Sequence, residues 1–436
     1  MSDFRKPTRR DFLKTAAAGS ALFPAIVPSV VLAARSAAGA PSDRIVLGFI
    51  GLGKQGSFLL RGFMNEPGTQ VVAVCDVDKR KLASAKVQAE KFYANRTGID
   101  STGGITATGN YREILERKDI DAVVTALPDH WHAIPAVEAA RVGKDMYCEK
   151  PLANSIGEAR AMVTAARRYG QVFQTGSMQR SNELFRFASE LVRNGYIGQL
   201  RKVTVNVAGP PEHAYSLPAE PVPDYLDWDR WLGPAPWRPY SPVLAPPMED
   251  DRWARWRYYW DFGGGGMTDW GAHHFDIGQW GMGMDKTGPV EIHPPNGKDI
   301  QALTYRYANG VIMTREEGPV NGVLFTGTEG EVEVNRGYLK TKPSSLTRLR
   351  LKPSDVRLYR SDNHFADWLH SIRTRSKPIC DVEVGCRSVT VCHLGNIAYL
   401  LNRSLFWDPV AERFRNDEAA NRLVMRPYRS PWQLVS

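Results

Sequence analysis

The feature of this sequence that most constrains the fold is an apolar run that leads straight into a glycine-rich turn. The run is Ile45–Ile50, and the turn follows as Gly51-Leu52-Gly53-Lys54-Gln55-Gly56. The first glycine permits a tight turn, the second lets backbone approach a pyrophosphate, and the third lets a helix pack on the strand. A second apolar run ends at Asp76, where a carboxylate can bind an adenosine ribose. The pattern predicts a dinucleotide-binding unit, whereas the glycines alone also fit a turn in another α/β domain.

The amino terminus carries the pattern of a twin-arginine export signal. Arg9 and Arg10 precede a stretch of small, moderately apolar residues from 15 to 34. Glycines, prolines and serines interrupt this stretch, so it does not resemble a membrane span of about 20 apolar residues. A basic arm is the other interpretation. We expect residues 1–40 to be a signal peptide and linker, with the cleavage position open, and the twin-arginine export machinery to be a partner. The expected location is the periplasm.

Composition narrows the classes of protein that fit. Of the 436 residues, 43% are hydrophobic and 24% are charged, which is typical of globular domains with substantial cores. The formal net charge of +9 is partly carried by the amino-terminal segment, so it does not argue for nucleic acid. The five cysteines are an odd number and indicate neither a disulfide framework nor a metal site.

Strand and helix patterns predict two domains. Residues 41–178 alternate between strands and helices, which predicts a Rossmann domain with a doubly wound parallel sheet. Residues 179–436 contain period-two runs, which predict an α+β domain with a large, mostly antiparallel open sheet. This second domain holds an insertion, 210–260, that is rich in proline, tryptophan and tyrosine. Helical patterns at 364–374 and 384–402 are expected to pack back against the first domain.

Residues that can carry chemistry meet at the junction of these domains. Lys150 follows a predicted central strand, at the sheet edge where open α/β folds bind ligands, and its ammonium can stabilise an alkoxide. If the segment after the glycine run 263–266 is helical, Asp269 and Asp276 share one face with His273. A carboxylate beside an imidazole sets its tautomer, which suits a group that takes a hydroxyl proton. A buried capped histidine or a metal site are the alternatives, and no third ligand at zinc spacing supports a metal.

Together these motifs resemble the Gfo/Idh/MocA family of nicotinamide-dependent sugar and cyclitol oxidoreductases. The matching motifs, in the family's order, are Gly51-x-Gly53-x-x-Gly56, Asp76, Pro128-Asp129-x-x-His132, Gly143-Lys144, Glu149-Lys150-Pro151 and Asp269-x-Gly271-x-His273-x-x-Asp276. The resemblance implies that Lys150 and His273 are a catalytic pair, that Asp269 assists, and that the open sheet supports a homo-oligomer, a dimer or tetramer. The positions that it places at the cofactor are Gly51, Gly53, Lys54, Gln55, Gly56, Asp76, Pro128, Asp129, His132, Glu149 and Lys150.

One motif departs from the family pattern. The segment Gln179-Arg180-Ser181-Asn182-Glu183 lacks the proline that the family carries after the sixth strand, which puts the local substrate contacts in doubt. Gln179, Arg180 and Asp276 are the candidate substrate contacts. The aromatic residues of the insertion 210–260 can stack on sugar rings or can simply pack the insertion.

The expected activity follows from the resemblance together with the export signal. NAD is expected because Asp76 favours a free ribose hydroxyl, while Lys79 and Arg80 leave NADP open. The leading hypothesis is a periplasmic oxidoreductase that moves hydride between the hydroxyl of a sugar, sugar derivative or cyclitol and a tightly held nicotinamide cofactor. A glycoside hydrolase that uses transient oxidation, elimination and reduction is the second hypothesis. A non-catalytic carbohydrate-binding protein is the third, and the intact Lys150 and His273 argue against it.

Overall fold

Two β-sheets organise the part of the chain that the structure describes. The computed structural model describes residues 44–97, 104–214, 216–318 and 321–435. The expected signal peptide and linker, residues 1–40, lie outside the described residues.

The first sheet has six parallel strands in the order β3-β2-β1-β4-β5-β6. Its strands are β1 (Ile45–Ile50), β2 (Thr69–Cys75), β3 (Thr106–Thr108), β4 (Ala122–Thr125), β5 (Asp145–Cys148) and β6 (Phe173–Thr175). This strand order is that of dinucleotide-binding Rossmann domains, in which the order of the parallel strands reverses beside β1. The predicted doubly wound parallel sheet is confirmed.

Five helices connect these strands. They are α1 (Lys54–Asn65), α2 (Lys79–Thr97), α3 (Tyr111–Glu116), α4 (Ala133–Arg141) and α5 (Ile156–Arg168). The apolar positions of α1 recur at helical spacing, so Leu59, Leu60 and Phe63 are buried on one face against the sheet. Side chains of Asn110 and Ser155 cap α3 and α5, which fixes where those helices begin.

The second sheet has nine strands in the order β13-β12-β11-β7-β10-β9-β8-β14-β15. Its strands are β7 (Leu200–Val205), β8 (Glu291–His293), β9 (Leu303–Arg306), β10 (Ile312–Arg315), β11 (Val323–Gly327), β12 (Glu331–Asn335), β13 (Tyr338–Lys342), β14 (Leu405–Asp408) and β15 (Arg413–Phe414). β7 and β10 pair in parallel, and the other neighbours pair antiparallel. The predicted mostly antiparallel sheet is confirmed.

In the described part of the chain, seven further helices follow the first sheet, and one of them packs directly on the second sheet. The remaining helices are α6 (Glu183–Arg193), α7 (Trp228–Leu232), α8 (Gly266–Asp269), α9 (Gly271–Met282), α10 (His364–Thr374), α11 (Val382–Leu401) and α12 (Glu418–Asn421). Every residue of α9 except Met282 is buried. A Cβ at Gly278 or Gly281 would lie 2.9 Å from Met313 or 2.5 Å from Phe325, so these glycines let α9 lie directly on the strands. This close packing fixes the position of the catalytic candidates on α9.

Carboxy-terminal helices pack against the Rossmann domain. Phe365 and Trp368 of α10 lie 4.6 Å and 5.3 Å from the ring of Phe63, and a Cβ at Gly385 of α11 would meet Thr175 at 2.2 Å. The insertion 210–260 forms a small core of its own around residues such as Leu232, Leu244 and Phe262. Aromatic packing of this insertion therefore accounts for much of its unusual composition.

Candidate active site

A cleft of about 1270 Å³ opens at the carboxyl ends of β1, β2, β4 and β5. Pockets for drug-sized ligands usually hold about 300–1,000 Å³, so this cleft has room for more than one small molecule. Residues from both domains line it, and they include Gly51, Asp76, Lys150, His273 and Arg336. The cleft therefore lies where open α/β sheets bind their ligands.

The glycine turn shapes one end of the cleft. Gly51 has a φ of 90°, and a Cβ there would lie 2.4 Å from the carbonyl oxygen of Ala126. A Cβ at Gly56 would lie 2.0 Å from the carbonyl oxygen of Gly51, so α1 packs on the turn only because residue 56 is glycine. A Cβ at Gly53, which precedes α1 and lines the cleft, would meet nothing within 4 Å. The open start of α1 therefore fits a pyrophosphate.

Asp76 stands at the carboxyl end of β2 and holds the same turn. Its carboxylate accepts hydrogen bonds from the backbone N–H groups of Leu52, at 2.7 Å, and Asp78, at 2.8 Å. Burial raises the pKa of Asp76, while Lys81 and these two N–H groups oppose the shift. The position is the one from which a carboxylate reaches an adenosine ribose. The turn and Asp76 together fit a nicotinamide dinucleotide.

Glu149 and Gln55 join the glycine turn to the loop after β5. Nε2 of Gln55 donates to Oε1 of Glu149 at 2.9 Å, and the backbone N–H of Lys150 donates to its other oxygen at 3.1 Å. A Cβ at Gly176 would lie 2.7 Å from Glu149, so only a glycine leaves room for this carboxyl group. Lys54 lines the cleft nearby and donates to the backbone carbonyl of Asp251 in the insertion.

Lys150 forms an ion pair with Asp269, which lies 119 residues later in the sequence. Its Nζ lies 2.8 Å from Oδ1 of Asp269 and 3.0 Å from the backbone carbonyl oxygen of the same residue. Nε of Arg257 lies 3.8 Å from that Oδ1. Burial acts to raise the pKa of Asp269, but Lys150 and Arg257 hold it below its usual value. The ammonium of Lys150 is thus fixed at the cleft wall beside a charged carboxylate.

His273 lines the cleft as a neutral imidazole. Burial, Lys150 and Arg336 lower its pKa well below the usual value for histidine. Its Nδ1 is buried and has no hydrogen-bond partner in the part of the chain that the structure describes. This ring nitrogen, at the wall of the cleft, is therefore available to a ligand.

The expected pairing of His273 with carboxylates is wrong. Asp269 hydrogen-bonds Lys150, and Asp276 hydrogen-bonds Arg180 and Ser388, so neither orients the imidazole. For Asp269 the helix is interrupted, because α8 ends at Asp269 and α9 begins at Gly271. Asp276 lies on α9 together with His273, but Arg180 binds its carboxylate instead.

Arg180 and Asp276, two of the three candidate substrate contacts, form a buried ion pair. The side chains are 2% and 1% exposed and are joined by two hydrogen bonds of 2.8 Å. Arg180 also pairs with Asp285 at 2.7 Å. Neither Arg180 nor Asp276 lines the cleft, whereas Gln179, the third candidate, does.

The segment after β4 divides into cleft-lining and structural residues. Pro128 and Asp129 line the cleft, and burial raises the pKa of Asp129 to about 8 against the opposing effect of Arg257. His132 does not line the cleft. Its two ring nitrogens lie 2.8 Å and 2.9 Å from the carbonyl oxygens of Pro151 and Leu127, and burial lowers its pKa to about 4. His132, one of the positions expected at the cofactor, thus joins two loops behind the cleft wall.

The sequence interpretation missed several residues that line the cleft. They come from the insertion, the junction of α8 and α9, the hairpin of β12 and β13, and the carboxy-terminal segment. They are Arg230, Trp231, Trp253, Arg257, Trp270, Arg336 and Trp432. The aromatic richness of the insertion was a signal for some of them. No local pattern marks Arg336 or Trp432, because long-range folding alone brings them to the cleft.

The described residues contain neither a metal-ligand cluster nor a candidate membrane span. In the described ranges, no group of three histidine, cysteine or acidic residues is placed to hold a metal ion. The five cysteines are all buried and unpaired. No helix among the described residues has the length and apolar character needed to cross a bilayer.

The fold and the cleft are those of a chain with a dinucleotide-binding Rossmann domain. Residues 45–177 match the NAD-binding Rossmann fold of the Gfo/Idh/MocA oxidoreductases, and residues 187–434 match the C-terminal alpha/beta domain of the same family. The chain belongs to the Gfo/Idh/MocA oxidoreductase family.

Individual relatives differ in what they are named for. The uncharacterized oxidoreductase YrbE of Bacillus subtilis is 30% identical over 176 residues, 40% of this chain and 48% of that protein. A glycosyl hydrolase family 109 protein of Shewanella pealeana is 30% identical over 212 residues, 45% of this chain and 44% of that protein. The chain thus spans less than half the length of these relatives. The crystal structure of aldose-aldose oxidoreductase from Caulobacter crescentus aligns with a TM-score of 0.55 at 18% identity, covering 83% of this chain and 99% of that one, which is a likeness of fold.

Proposed function

We propose that this protein is an exported, NAD-dependent oxidoreductase that exchanges hydride between a tightly held cofactor and the hydroxyl of a sugar, sugar derivative or cyclitol. The observation that carries the proposal is the arrangement of Lys150, Asp269 and the neutral His273 in the same cleft as the glycine turn. The proposal adds a location, a substrate class and a homo-oligomeric state to the family membership.

Retention of the cofactor is supported by contacts that cross the cleft. Lys54 binds the carbonyl of Asp251, and Nη1 of Arg230 donates to the carbonyl of Gly109 at 3.2 Å. Trp432, from the carboxy-terminal segment, also lines the cleft. These contacts connect the insertion and the Rossmann domain around the proposed nucleotide site. A dinucleotide enclosed in this way dissociates slowly, because release requires that these contacts separate.

NAD is favoured over NADP by the partners of the nearby cations. Arg80 pairs with Glu249 at 2.9 Å, and Nζ of Lys79 donates to a carbonyl oxygen of the insertion at 3.2 Å. Arg230 lies 3.5 Å from Asp227. These cations are engaged within the protein, and Lys81, which lines the cleft, lies 3.5 Å from Asp78. Asp76 presents a carboxylate suited to a free ribose hydroxyl.

The residues at the other end of the cleft suit oxidation of an alcohol. The bound nicotinamide would supply the chemistry of accepting and returning hydride. His273, neutral at physiological pH, takes the hydroxyl proton of the substrate and later returns it. Lys150 stabilises the oxygen as negative charge develops, and Asp269 holds the ammonium in position. Each group thus moves or stabilises charge at a defined point of the reaction.

Export of the folded protein favours redox-neutral turnover. A chain that acquires NAD before export has no free nicotinamide pool outside the cell, so the cofactor must be restored within each cycle. Oxidation of one sugar and reduction of another satisfies this requirement. Homo-oligomer formation through the open face of the second sheet completes the proposal.

Redox-assisted cleavage of a glycoside is the second candidate function. The 30% identity to a glycosyl hydrolase family 109 protein favours it, and Asp129 adds an acid to the cleft. With a pKa of about 8, this carboxyl group is mostly protonated at pH 7. In that cycle oxidation of a ring hydroxyl to a ketone acidifies the adjacent C–H. Solvent takes that proton as the C–O bond to the aglycone breaks, and Asp129 protonates the departing oxygen. Addition of water to the resulting double bond and reduction of the ketone by the hydride first removed then restore the sugar.

Two assays without added NAD separate the candidates. The purified protein is incubated with pairs of aldoses and, in parallel, with aryl glycosides that release a chromogenic aglycone. Oxidation of one aldose with equal reduction of the other supports the oxidoreductase, and aglycone release without a second carbonyl substrate supports cleavage. The double variant Lys150→Met, His273→Ala is the control. Turnover by this variant equal to that of the parent would contradict both assignments.

A further inference from the structure

We propose that the substrate is an acidic sugar whose carboxylate is bound by Arg336. This inference rests on the proposed function and names its substrate class. Arg336 lies in the turn between β12 and β13, between Asn335 and Gly337, and lines the cleft with Trp270 and His273. The sequence patterns did not single out this residue.

The guanidinium of Arg336 is held in place by neutral groups. Its Cζ lies 4.9 Å from the centroid of the exposed Trp270 ring, within the range of cation–π contact. With the Gln179 amide oriented to satisfy both neighbours, its oxygen accepts from Nε of Arg336 at 3.2 Å and its nitrogen donates to the backbone carbonyl of His273 at 3.1 Å. The Nε position is therefore occupied, while the two terminal nitrogens remain for a ligand.

Arg336 differs from other arginines of the cleft in its charge partners. Arg230, Arg252 and Arg257 lie 3.5 Å, 2.7 Å and 3.8 Å from carboxylates of the protein. No carboxylate in the described ranges lies within ion-pair distance of Arg336, so its charge is not neutralised by direct contact.

The surrounding groups leave this positive charge in excess. The ammonium of Lys150 is balanced by Asp269 at 2.8 Å, and His273 is neutral. Asp129 is mostly protonated at neutral pH, because burial raises its pKa to about 8.

Glu149 is the acidic group that acts on the charge of Arg336, but it lies beyond ion-pair distance and accepts hydrogen bonds from Gln55 and from the backbone of Lys150. An anionic substituent on the substrate would therefore meet a positive charge that no carboxylate of the described residues contacts directly.

The guanidinium of Arg336 can bind a carboxylate through paired donors, and phosphate, which it can also bind, is the competing anion that the test must separate. A guanidinium offers planar, paired donors that match the two oxygens of a carboxylate. The tether from Arg336 through Gln179 ends on His273, so the bound group would sit beside the proposed proton acceptor rather than at the glycine turn. A sugar with a carboxylate near its reactive hydroxyl fits both contacts.

Binding calorimetry on the holoprotein tests this proposal. The probes are D-glucuronate, D-galacturonate and N-acetylneuraminate, the neutral sugars D-glucose, D-galactose and N-acetyl-D-mannosamine, and D-glucose 6-phosphate. At least one carboxylated sugar is expected to bind about tenfold or more tightly than its neutral counterpart. Arg336→Gln should remove about tenfold of that affinity and change binding of the neutral sugar less than about twofold. Arg336→Lys should restore only part of the affinity, because it keeps the charge and loses the paired donors.

Lys340→Gln, an exposed cation on the same hairpin that does not line the cleft, is the matched control and should leave all affinities unchanged. Equal binding of acidic and neutral sugars, tighter binding of the sugar phosphate, no binding of any carboxylated sugar, or equal loss of both affinities in Arg336→Gln would each overturn the proposal. Hydride exchange with neutral sugars alone would leave the proposed function standing and refute this inference. Arg336-dependent binding of a carboxylated sugar without hydride exchange would support this inference and refute the proposed function.

Discussion

Replacement of Asp276 by asparagine tests whether the Arg180–Asp276 pair belongs to the core rather than to the substrate site. The two side chains are 2% and 1% exposed, and Ser388 donates a further hydrogen bond of 2.6 Å to Asp276. Loss of one partner leaves the guanidinium buried beside a neutral amide. Breaking a buried ion pair in this way usually costs about 3–5 kcal/mol.

Asp285, the second ion-pair partner of Arg180, places the expected loss of stability at the low end of that range. Asp285 remains 2.7 Å from the guanidinium in the Asp276→Asn variant and is 30% exposed. We therefore expect a loss of about 3 kcal/mol in the free energy of unfolding. With an unfolding entropy of about 2.1 cal/mol/K per residue, the melting temperature should fall by about 4 °C.

The assay is thermal unfolding followed by calorimetry, with the Michaelis constant for a turned-over sugar measured on the same preparations. Asp285→Asn is the matched control and should cost about 1 kcal/mol or less, because that carboxylate is partly solvated. An unchanged melting temperature together with a raised Michaelis constant in Asp276→Asn would refute the structural role and restore the role in substrate binding.

Three further predictions concern the cleft. Burial, Lys150 and Arg336 lower the pKa of His273, so its ring stays unprotonated as pH falls through 6.5. The rate of single-turnover oxidation should therefore stay constant across that pH. A pH–rate profile that falls at or above pH 6.5 would contradict the neutral state of His273. Asp129→Asn should retain the parent rate of hydride exchange at pH 7 within about threefold, since an amide resembles the protonated carboxyl in shape and charge, whereas aglycone release that uses Asp129 as an acid should be lost. A larger loss of hydride exchange in steady-state assays would show that Asp129 acts there as a carboxylate. Trp432→Ala should reduce the NAD(H) recovered per protein chain; unchanged recovery by mass spectrometry would remove this residue from cofactor retention.

Local patterns predicted the elements that position the cofactor site. Apolar runs and helical periodicity gave the Rossmann strands, and the glycine turn placed Gly51 and Gly56 where backbone atoms pass closest. Helix α10 begins where the side chain of Asn363 accepts from two backbone N–H groups, a signal that is local in sequence. Such features are predictable because the interactions that cause them span only a few residues.

Pairing between distant side chains was not predictable in the same way. Asp269 and His273 have helical spacing, but the break between α8 and α9 turns Asp269 toward Lys150. Arg180 resembled a substrate contact because its segment follows β6, yet Asp276 and Asp285 draw it into the core. These outcomes depend on competition among several charged partners, which no single motif encodes.

Whether the cleft holds NAD that exchanges hydride with a sugar can be measured on the cofactor released from the purified protein. The parent protein and the double variant Lys150→Met, His273→Ala are denatured, and nicotinamide dinucleotides in the supernatants are quantified by mass spectrometry. We expect NAD(H) near one per chain in the parent, with little NADP(H). When the parent is first incubated with a substrate deuterated at the carbinol carbon, we expect deuterium in the NADH. We expect no deuterium with the double variant. A parent without any nicotinamide dinucleotide, or equal labelling in the variant, would contradict the account.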